Sequence, residues 1–516
     1  MNVHHECVVI GAGPGGLVCT KELIEQGIED VLCLEKSDAI GGVFADTYDS
    51  LTLTSSCTFS MFSDFWIGDG RQHHFWSKQE VLDYWHAYAR HFGVLPKIRF
   101  GAEVITADPC DGGWRLTLAE GSEIRCRRLA LAVGGNRFPN IPDWAEAMTG
   151  VSVLHSKDYR NGEPFVGKNV LVVGGGESGA DIALEISRVA RRCTVSLRTS
   201  AGWILPRKRG AMAADIATHR GLYGLPREFG IEVSRQISRH EASCGDPVNN
   251  AAARLNARVT APYGVWGTYG TKNFSLPEAV AHHGCQVVSG ISAIEEDGRC
   301  ITFADGAVLK DIDAIVLCTG YQSRLPFLPQ PLRAQDPRAL YKHMFHPRYA
   351  DTLAWIGFAR PGFGSQFPIM ELQARYFGMI ATGRARLPEP EDMENAAAAD
   401  ARGYLQQLGH SGRRIRNLVD YHHYMDDLAG LIGCLPPFWS TLLFRPRLWL
   451  RIVYGATQAT QFRLRGPGSK PELAREILMQ LPVSRFNHVV KVGLKGRLWY
   501  GLRWPWRQRA SESSEA

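Results

Sequence analysis

The chain of 516 residues carries 45% hydrophobic and 21% charged residues, which excludes a disordered chain, a collagen and a coiled coil. At roughly 150 residues per domain it should hold two to four domains. The formal net charge of +6 is concentrated, because residues 477–511 hold seven basic residues and no acid. The body is therefore close to neutral, which argues against nucleic acid as a partner. The 12 cysteines are scattered from Cys7 to Cys434 without CxxC spacing. Neither a zinc site nor a dithiol centre is legible, and no metal is expected. Unpaired cysteines of this kind suit a reducing compartment, so a cytoplasmic protein is expected. No apolar run is long enough to span a bilayer, and Leu442 to Val453 is broken by Arg445, Arg447 and Arg451, so no transmembrane span is expected. The first motif begins at Gly11, which argues against a signal peptide.

Cys7 to Ile10 reads as a buried strand running into Gly11-Ala12-Gly13-Pro14-Gly15-Gly16. A helix from Leu17 to Gln26 follows, ended by Gly27, and Val31 to Leu34 forms a second strand ending at Glu35. Arg128 to Gly135 is strand-like, with a proline-marked turn after it. The first pattern then recurs. Val170 to Val173 enters Gly174-Gly175-Gly176-Glu177-Ser178-Gly179, a helix spans about Ala180 to Val189, and Thr194 to Leu197 ends at Arg198. Asp313 to Tyr321 is a further strand, with Gly320 near its end as a candidate cofactor contact, since such a glycine permits close approach of the chain to a ligand. Linkers are expected at 160–167 and 321–338, and an exposed helix start at 389–400. The fold class is α/β, with two doubly wound, Rossmann-like dinucleotide domains, the second inserted in the first, and a helical C-terminal part. The expected divisions are 1–165, 166–320, 321–482 and a basic aromatic tail at 483–516.

The chemistry of the glycines follows from their context. Gly11 permits a tight turn, Gly13 lets the backbone approach a pyrophosphate, and Gly16 lets helix pack on strand. The helix N-terminus then offers unpaired N–H groups to the phosphates. Glu35, at the end of the strand after that helix, is placed to accept hydrogen bonds from ribose hydroxyls. In the second copy Arg198 replaces the acid, and a guanidinium can grip a 2′-phosphate with two parallel bonds. The alternative is a solvated strand-end charge. Arg207 and Lys208 lie just downstream. Gly174, Gly176, Ser178 and Gly179 would form the second phosphate turn, with a preference for NADPH.

Two dinucleotide motifs in one chain suggest a flavin reduced by a nicotinamide. The segments VVIGAGPGGL, EKSDAIGGVF, MFSDF, HSKDYR, VLVVGGGESGADIALEI, LCTGY, LYKHMFHP, WIGFARPG, FPIMELQAR, YMDDLAGLIGCLP and QFRLRGPG follow in order. In them the chain resembles the flavin-containing monooxygenases, within the class B flavoprotein monooxygenases, from about residue 5 to 480. The resemblance implies FAD in the first site, lined by Gly11, Gly13, Gly15, Gly16, Glu35, Gly42, Val43 and Phe44, and NADPH in the second, met by Arg198. It implies a flavin C4a-hydroperoxide that hands one oxygen of O₂ to a small-molecule substrate.

Two departures stand out. The family's FxGxxxHxxx(Y/F) motif meets Met148 in place of Phe, and one extra residue separates Gly150 from His155. The animal-type Thr-Asn-x-x-Lys segment corresponds to Leu53-Thr54-Ser55-Ser56-Cys57, so Thr54 replaces the Asn and Cys57 the Lys. A hydroxyl cannot donate and accept through separate atoms as an amide does. Thr54 and Ser55 are the candidate catalytic and flavin-contacting residues; the alternative is a loop that only packs on the flavin.

Soft nitrogen or sulfur nucleophiles are the expected oxygen acceptors. Tyr159 stands where a Trp-Pro pair would resemble Baeyer–Villiger enzymes more closely, so carbonyl oxygenation is the alternative, and a non-catalytic flavin sensor a further one. A disulfide reductase would need a redox cysteine pair that the spacing does not offer. Adjacent histidines such as His73-His74 and His422-His423 point apart and are poor chelators. The tail mixes Trp499, Trp504 and Trp506 with its basic residues, a composition that suits a peripheral membrane contact as well as a strap over the body. The oligomeric state is left open, a homodimer included.

Overall fold

The computed structural model describes residues 3–68, 70–146, 148–198, 202–224, 235–236, 239–259, 270–295 and 297–483. Beyond Val483, the basic tail lies outside the described residues.

The first motif forms β1 (Val3–Ile10), α1 (Pro14–Glu25) and β2 (Val31–Leu34). Cys7, Val8, Val9 and Ile10 are buried, as a central strand requires. The helix begins earlier than its apolar pattern suggested. Gly13 stands at its N-cap and Pro14 in its first turn, where a missing N–H costs nothing. After α2 (Lys78–His91) come β3 (Ile98–Arg99), β4 (Val104–Cys110), β5 (Gly113–Leu118) and β6 (Glu123–Leu131). Within the first sheet they run β3-β2-β1-β6-β5-β4. β1 pairs in parallel with both β2 and β6, while β4 and β5 add an antiparallel edge.

The chain then leaves for a second, five-stranded parallel sheet. It contains β7 (Ser152–His155), β8 (Asn169–Val173), β9 (Arg192–Ser196), β10 (Gln286–Val288) and β11 (Ala314–Leu317), in the order β10-β9-β8-β11-β7. Helix α3 (Glu177–Ser187) follows the second glycine motif. The return is marked by β12 (Leu353–Trp355), which pairs in parallel with β6 of the first sheet. One doubly wound sheet is thus interrupted by another.

The expected linker at 321–338 is corrected by the structure. Tyr321–Gln322 pairs with Phe138–Pro139, and Leu325, Phe327, Leu328 and Leu332 are buried against the first sheet. Proline and glycine shaped a packed crossing rather than an exposed spacer. The segment 160–167 likewise contains a short helical turn with Phe165 buried.

The C-terminal part is helical: α4 (Gln366–Ala381), α5 (Pro390–Arg414), α6 (Tyr421–Ile432), α7 (Phe438–Phe444), α8 (Pro446–Tyr454) and α9 (Pro471–Gln480). Helix α4 is buried on all sides from Phe367 to Ala381, so it lies inside the molecule rather than on it. It packs on α1, and Leu17, Val18, Trp85, Leu372, Phe377 and Met425 share one core. Each such side chain contributes roughly 1.5–3 kcal/mol of burial.

Candidate active site

The two glycine turns divide labour in the same way. A Cβ on Gly11, at φ +101°, would lie 2.8 Å from the Ala132 carbonyl oxygen, and one on Gly174, at φ +106°, 2.4 Å from that of Cys318. At the other end, a Cβ on Gly16 would meet the Gly11 carbonyl oxygen at 1.7 Å, and one on Gly179 the Gly174 oxygen at 2.2 Å. Those four glycines are required by the chain's own packing. Gly13 and Gly176 are different. A Cβ on Gly13 would meet only Gly42 backbone, at 3.7 Å, and one on Gly176 nothing within 4 Å. Open space faces the middle glycine of each turn, at the start of a helix with no side-chain cap. Unfilled N–H groups beside that space fit a pyrophosphate. The chain's residues therefore suit a dinucleotide at each turn.

Around the first turn, Glu35 accepts from the Ala12 N–H at 2.7 Å and from the Ser37 backbone and hydroxyl at 2.9 and 2.7 Å. It clamps the turn with three of its roughly four acceptor positions, and the one left lies on Oε2. Gly42, Val43 and Phe44 form a short helical turn facing Gly13; Val43 is exposed and the Phe44 ring meets Trp85 at 5.1 Å. Gly15 packs instead against the Ile356 carbonyl and Met370. At the second turn, Ser178 is half-buried and Arg198 exposed, just past the end of β9. Arg207 turns towards Asp181 at 3.5 Å, leaving Arg198 and the exposed Lys208 as the outward cations of that group. Gly320 accepts from the Asn140 N–H at 2.9 Å, at the crossing between sheets.

The loop of Thr54 and Ser55 ties the two halves together. Ser56 donates to Asp215 through its N–H at 2.7 Å and its hydroxyl at 2.8 Å. Lys272 donates through Nζ to the Gly364 carbonyl at 2.9 Å and to the Ser55 hydroxyl at 3.5 Å. Its backbone N–H donates to Glu177 Oε1 at 3.0 Å. A lysine from the inserted part of the chain thus reaches the loop in which Cys57 stands at the family's Lys position. Thr54 itself is half-buried, and Cys57 is buried at the start of a one-turn helix.

Glu177 heads α3, beside the open Gly176. Its Oε2 is buried and takes no hydrogen bond among the described residues. Burial pushes this carboxyl up to about 7, against the opposing pull of the Lys272 N–H and ammonium. Burial likewise raises Asp215 above the ordinary carboxyl range, against Lys272 and the two Ser56 bonds. Asp181 gathers Tyr48, Asn273 and Ser275 on the same side. None of Lys272, Asp215 and Glu177 was singled out by sequence reasoning.

The structure also brings together what cysteine spacing could not. The Cys193 and Cys285 sulfurs lie 3.8 Å apart, both buried, within the second domain. Among the acids, Glu22, Glu25 and Asp64 cluster, but Lys21, Arg463 and Lys470 already sit among them.

Two open phosphate turns on interleaved sheets, joined through one loop, define a protein built for two dinucleotides. Comparison with known proteins narrows the class. The model of the family "Flavin-binding monooxygenase-like" matches residues 4–493. A 4-hydroxybenzoate brominase (decarboxylating) of Pseudoalteromonas luteoviolacea is 33% identical, over 93% of this chain and 94% of its own. Flavin-containing monooxygenase 5 of Oryctolagus cuniculus is 30% identical, over 91% and 90%. Among solved structures, the S-allyl-L-cysteine S-oxygenase of Allium sativum has TM-score 0.60 at 22% identity, covering 96% of this chain and 98% of that one. The NADP⁺-bound cyclohexanone monooxygenase of Rhodococcus sp. Phi1 has TM-score 0.61 at 19% identity, covering 84% and 98%. The chain belongs to the flavin-binding monooxygenase-like family. It is a flavin monooxygenase, using FAD and NADPH. No helix of the described residues is long and apolar enough to cross a membrane.

Proposed function

We propose that this monooxygenase transfers one oxygen atom of O₂ to a soft nucleophilic centre, nitrogen or sulfur, of a small organic substrate. NADPH, H⁺, O₂ and substrate would give NADP⁺, water and the N- or S-oxide. Bound FAD would supply oxygen activation; the chain's residues hold, orient and keep dry. Residues 1–165 and 321–482 would carry FAD and 166–320 NADPH, with Arg198 on the 2′-phosphate. Ser56, fixed by Asp215, and Ser55, reached by Lys272, would hold Thr54 at the reacting face. The observation that carries this reading is the Lys272 bridge, which spans from the second dinucleotide turn to the Thr54–Ser56 loop. Such a bridge suits a site where both rings must stack.

A second reading is favoured by the likeness to the brominase of Pseudoalteromonas luteoviolacea. Bromide is also a soft nucleophile, so the same site could oxidise it: NADPH, O₂, bromide and two protons would give NADP⁺, hypobromous acid and water. A phenolic acid would then be the second substrate. Product mass spectrometry with thioethers, tertiary amines, cyclic ketones and 4-hydroxybenzoate with bromide separates the readings. Lactone from ketones alone would overturn both in favour of the Baeyer–Villiger alternative. NADPH turnover with no product from any of them, peroxide excepted, would count against a soft acceptor.

A further inference from the structure

The face made by α7 and α8 is unusual for a water-facing surface. Trp439 is 84% exposed, Leu443 74% and Phe444 75%, and Leu442 and Leu450 are exposed beside them. Trp439, Leu442 and Leu443 share one helical face, while Phe438 and Thr441 turn inward. On α8, Leu448 and Ile452 pack against Ile477, Leu478 and Leu481, which leaves Leu450 and Arg447 outward. Arg445 and Arg447 are exposed and form no ion pair among the described residues. Contiguous apolar exposure of this kind marks an interaction site.

We propose that this face docks on an anionic lipid surface, lying on the bilayer rather than crossing it. Trp, Phe and Leu suit the boundary between headgroups and acyl chains, and arginine suits the lipid phosphates. The end of the described chain lies at the same place. Val483 bridges to Gly455 at the end of α8, and Arg451 donates to the Leu481 carbonyl, so the described residues end beside this face. Before its first acid, Glu512, the tail carries seven Lys and Arg together with Trp499, Trp504 and Trp506. Charge decides between occupants. The tail is basic like Arg445 and Arg447, so its charge does not complement this face. A second copy docked on the same face would also set arginines against arginines. Tail and face together call for one anionic, apolar-backed partner.

The docked face is connected to the active-site loop. Tyr454 packs against Gly221 of the short helix Arg220–Tyr223, and the Tyr223 ring lies 6.2 Å from Phe363, beside the Gly364 carbonyl that Lys272 holds. A lipid-docked enzyme would thereby meet substrates dissolved in the bilayer.

The test is flotation of the full-length holoenzyme with phosphatidylcholine vesicles, with and without phosphatidylglycerol. Wild type should float with the anionic vesicles in a salt-sensitive way. The triple variant Trp439→Ser, Leu443→Ser, Phe444→Ser should lower that partition by about ten-fold or more, with flavin content and NADPH oxidation in solution unchanged. Arg445→Gln with Arg447→Gln should weaken binding and flatten its salt dependence. Failure of wild type to float, equal binding to neutral vesicles, or an unchanged triple variant would each overturn the proposal. Light scattering guards against the other occupant: a dimer turned monomer by the triple variant, with flotation intact, assigns the face to a second copy.

Discussion

Gly13 and Gly16 look alike in the sequence, yet they should fail differently. At Gly16 an added Cβ collides with backbone, so substitution should break the turn itself. At Gly13 the fold has room for a methyl, so a clash there would fall on the pyrophosphate. Gly13→Ala should therefore keep the circular dichroism of the wild type and lose flavin. Overpacking typically costs about 1–3 kcal/mol, a loss of affinity of about five-fold to 150-fold. The ratio of flavin to protein absorbance reads this directly, and a full complement of FAD in the variant would move the pyrophosphate elsewhere. Thr54 poses the complementary question, because here the family residue is absent. Thr54→Val keeps shape and removes the hydroxyl. If that hydroxyl stabilises developing charge, its loss costs about 2.7–4 kcal/mol. Flavin bleaching by NADPH under nitrogen should survive, while oxygen uptake is diverted to hydrogen peroxide. An unchanged peroxide yield would reduce the loop to packing.

Helix α3 carries the pH dependence. Glu177 sits in its first turn, with one carboxylate oxygen buried and unpartnered, and is raised from 4.5 to about 7. Its neutral form is the one the fold accommodates. The stability this gives is full below about pH 4.5 and fades as pH rises through 7. The same ionisation places a negative charge beside the open Gly176 turn, where it opposes phosphate. Wild-type NADP⁺ affinity should thus weaken as pH rises through 7 relative to Glu177→Gln, in which that component is flat. Calorimetric titration of the holoenzyme at several pH values measures the difference. Parallel curves for the two proteins would remove Glu177 from coenzyme binding. This residue also shows where sequence legibility ends. The strands and helices of both turns were readable because apolar runs and glycine spacing are local, and only their first and last residues moved. Glu177 was visible in the motif, but its burial depends on Lys272, 95 residues on. Asp215 and Lys272 reach the loop across 159 and 217 residues. No periodicity encodes such meetings. The 321–338 crossing was misread for a related reason, since Pro and Gly mark turns whether a segment is exposed or packed.

At the scale of the whole molecule, the first helix and the segment before α9 are held by one buried ion network. Arg463 pairs with Glu22 of α1 and with Glu371 of α4 at 2.9 Å, and donates to Ser63 at 2.7 Å. Lys21 and Lys470 meet Asp64, the latter at 2.7 Å. Burial alone would raise Asp64 and Glu22; Arg463, Lys21 and Lys470 outweigh it and hold Asp64 well below the usual carboxylate range, and Arg463 with Lys21 lowers Glu22. Acids depressed in this way stabilise the fold at every pH above their unfolded range and lose that effect only as pH falls below it. Wild-type stability from this network should be level between pH 5 and 8. Arg463→Met removes the fork and leaves Glu22 and Glu371 buried with less compensation, which costs about 3–5 kcal/mol. Glu22 then rises instead of falling, so the variant should also lose stability as pH increases from 5 to 8, a slope the wild type lacks. Guanidinium unfolding followed by tryptophan fluorescence, with flavin release recorded alongside, reads both effects. Arg463→Lys keeps the charge without the fork and should fall between. A level, wild-type profile in Arg463→Met would mean that apolar packing of α1 on α4 holds the C-terminal segment without the ions, and that the network serves only to bury its own charges.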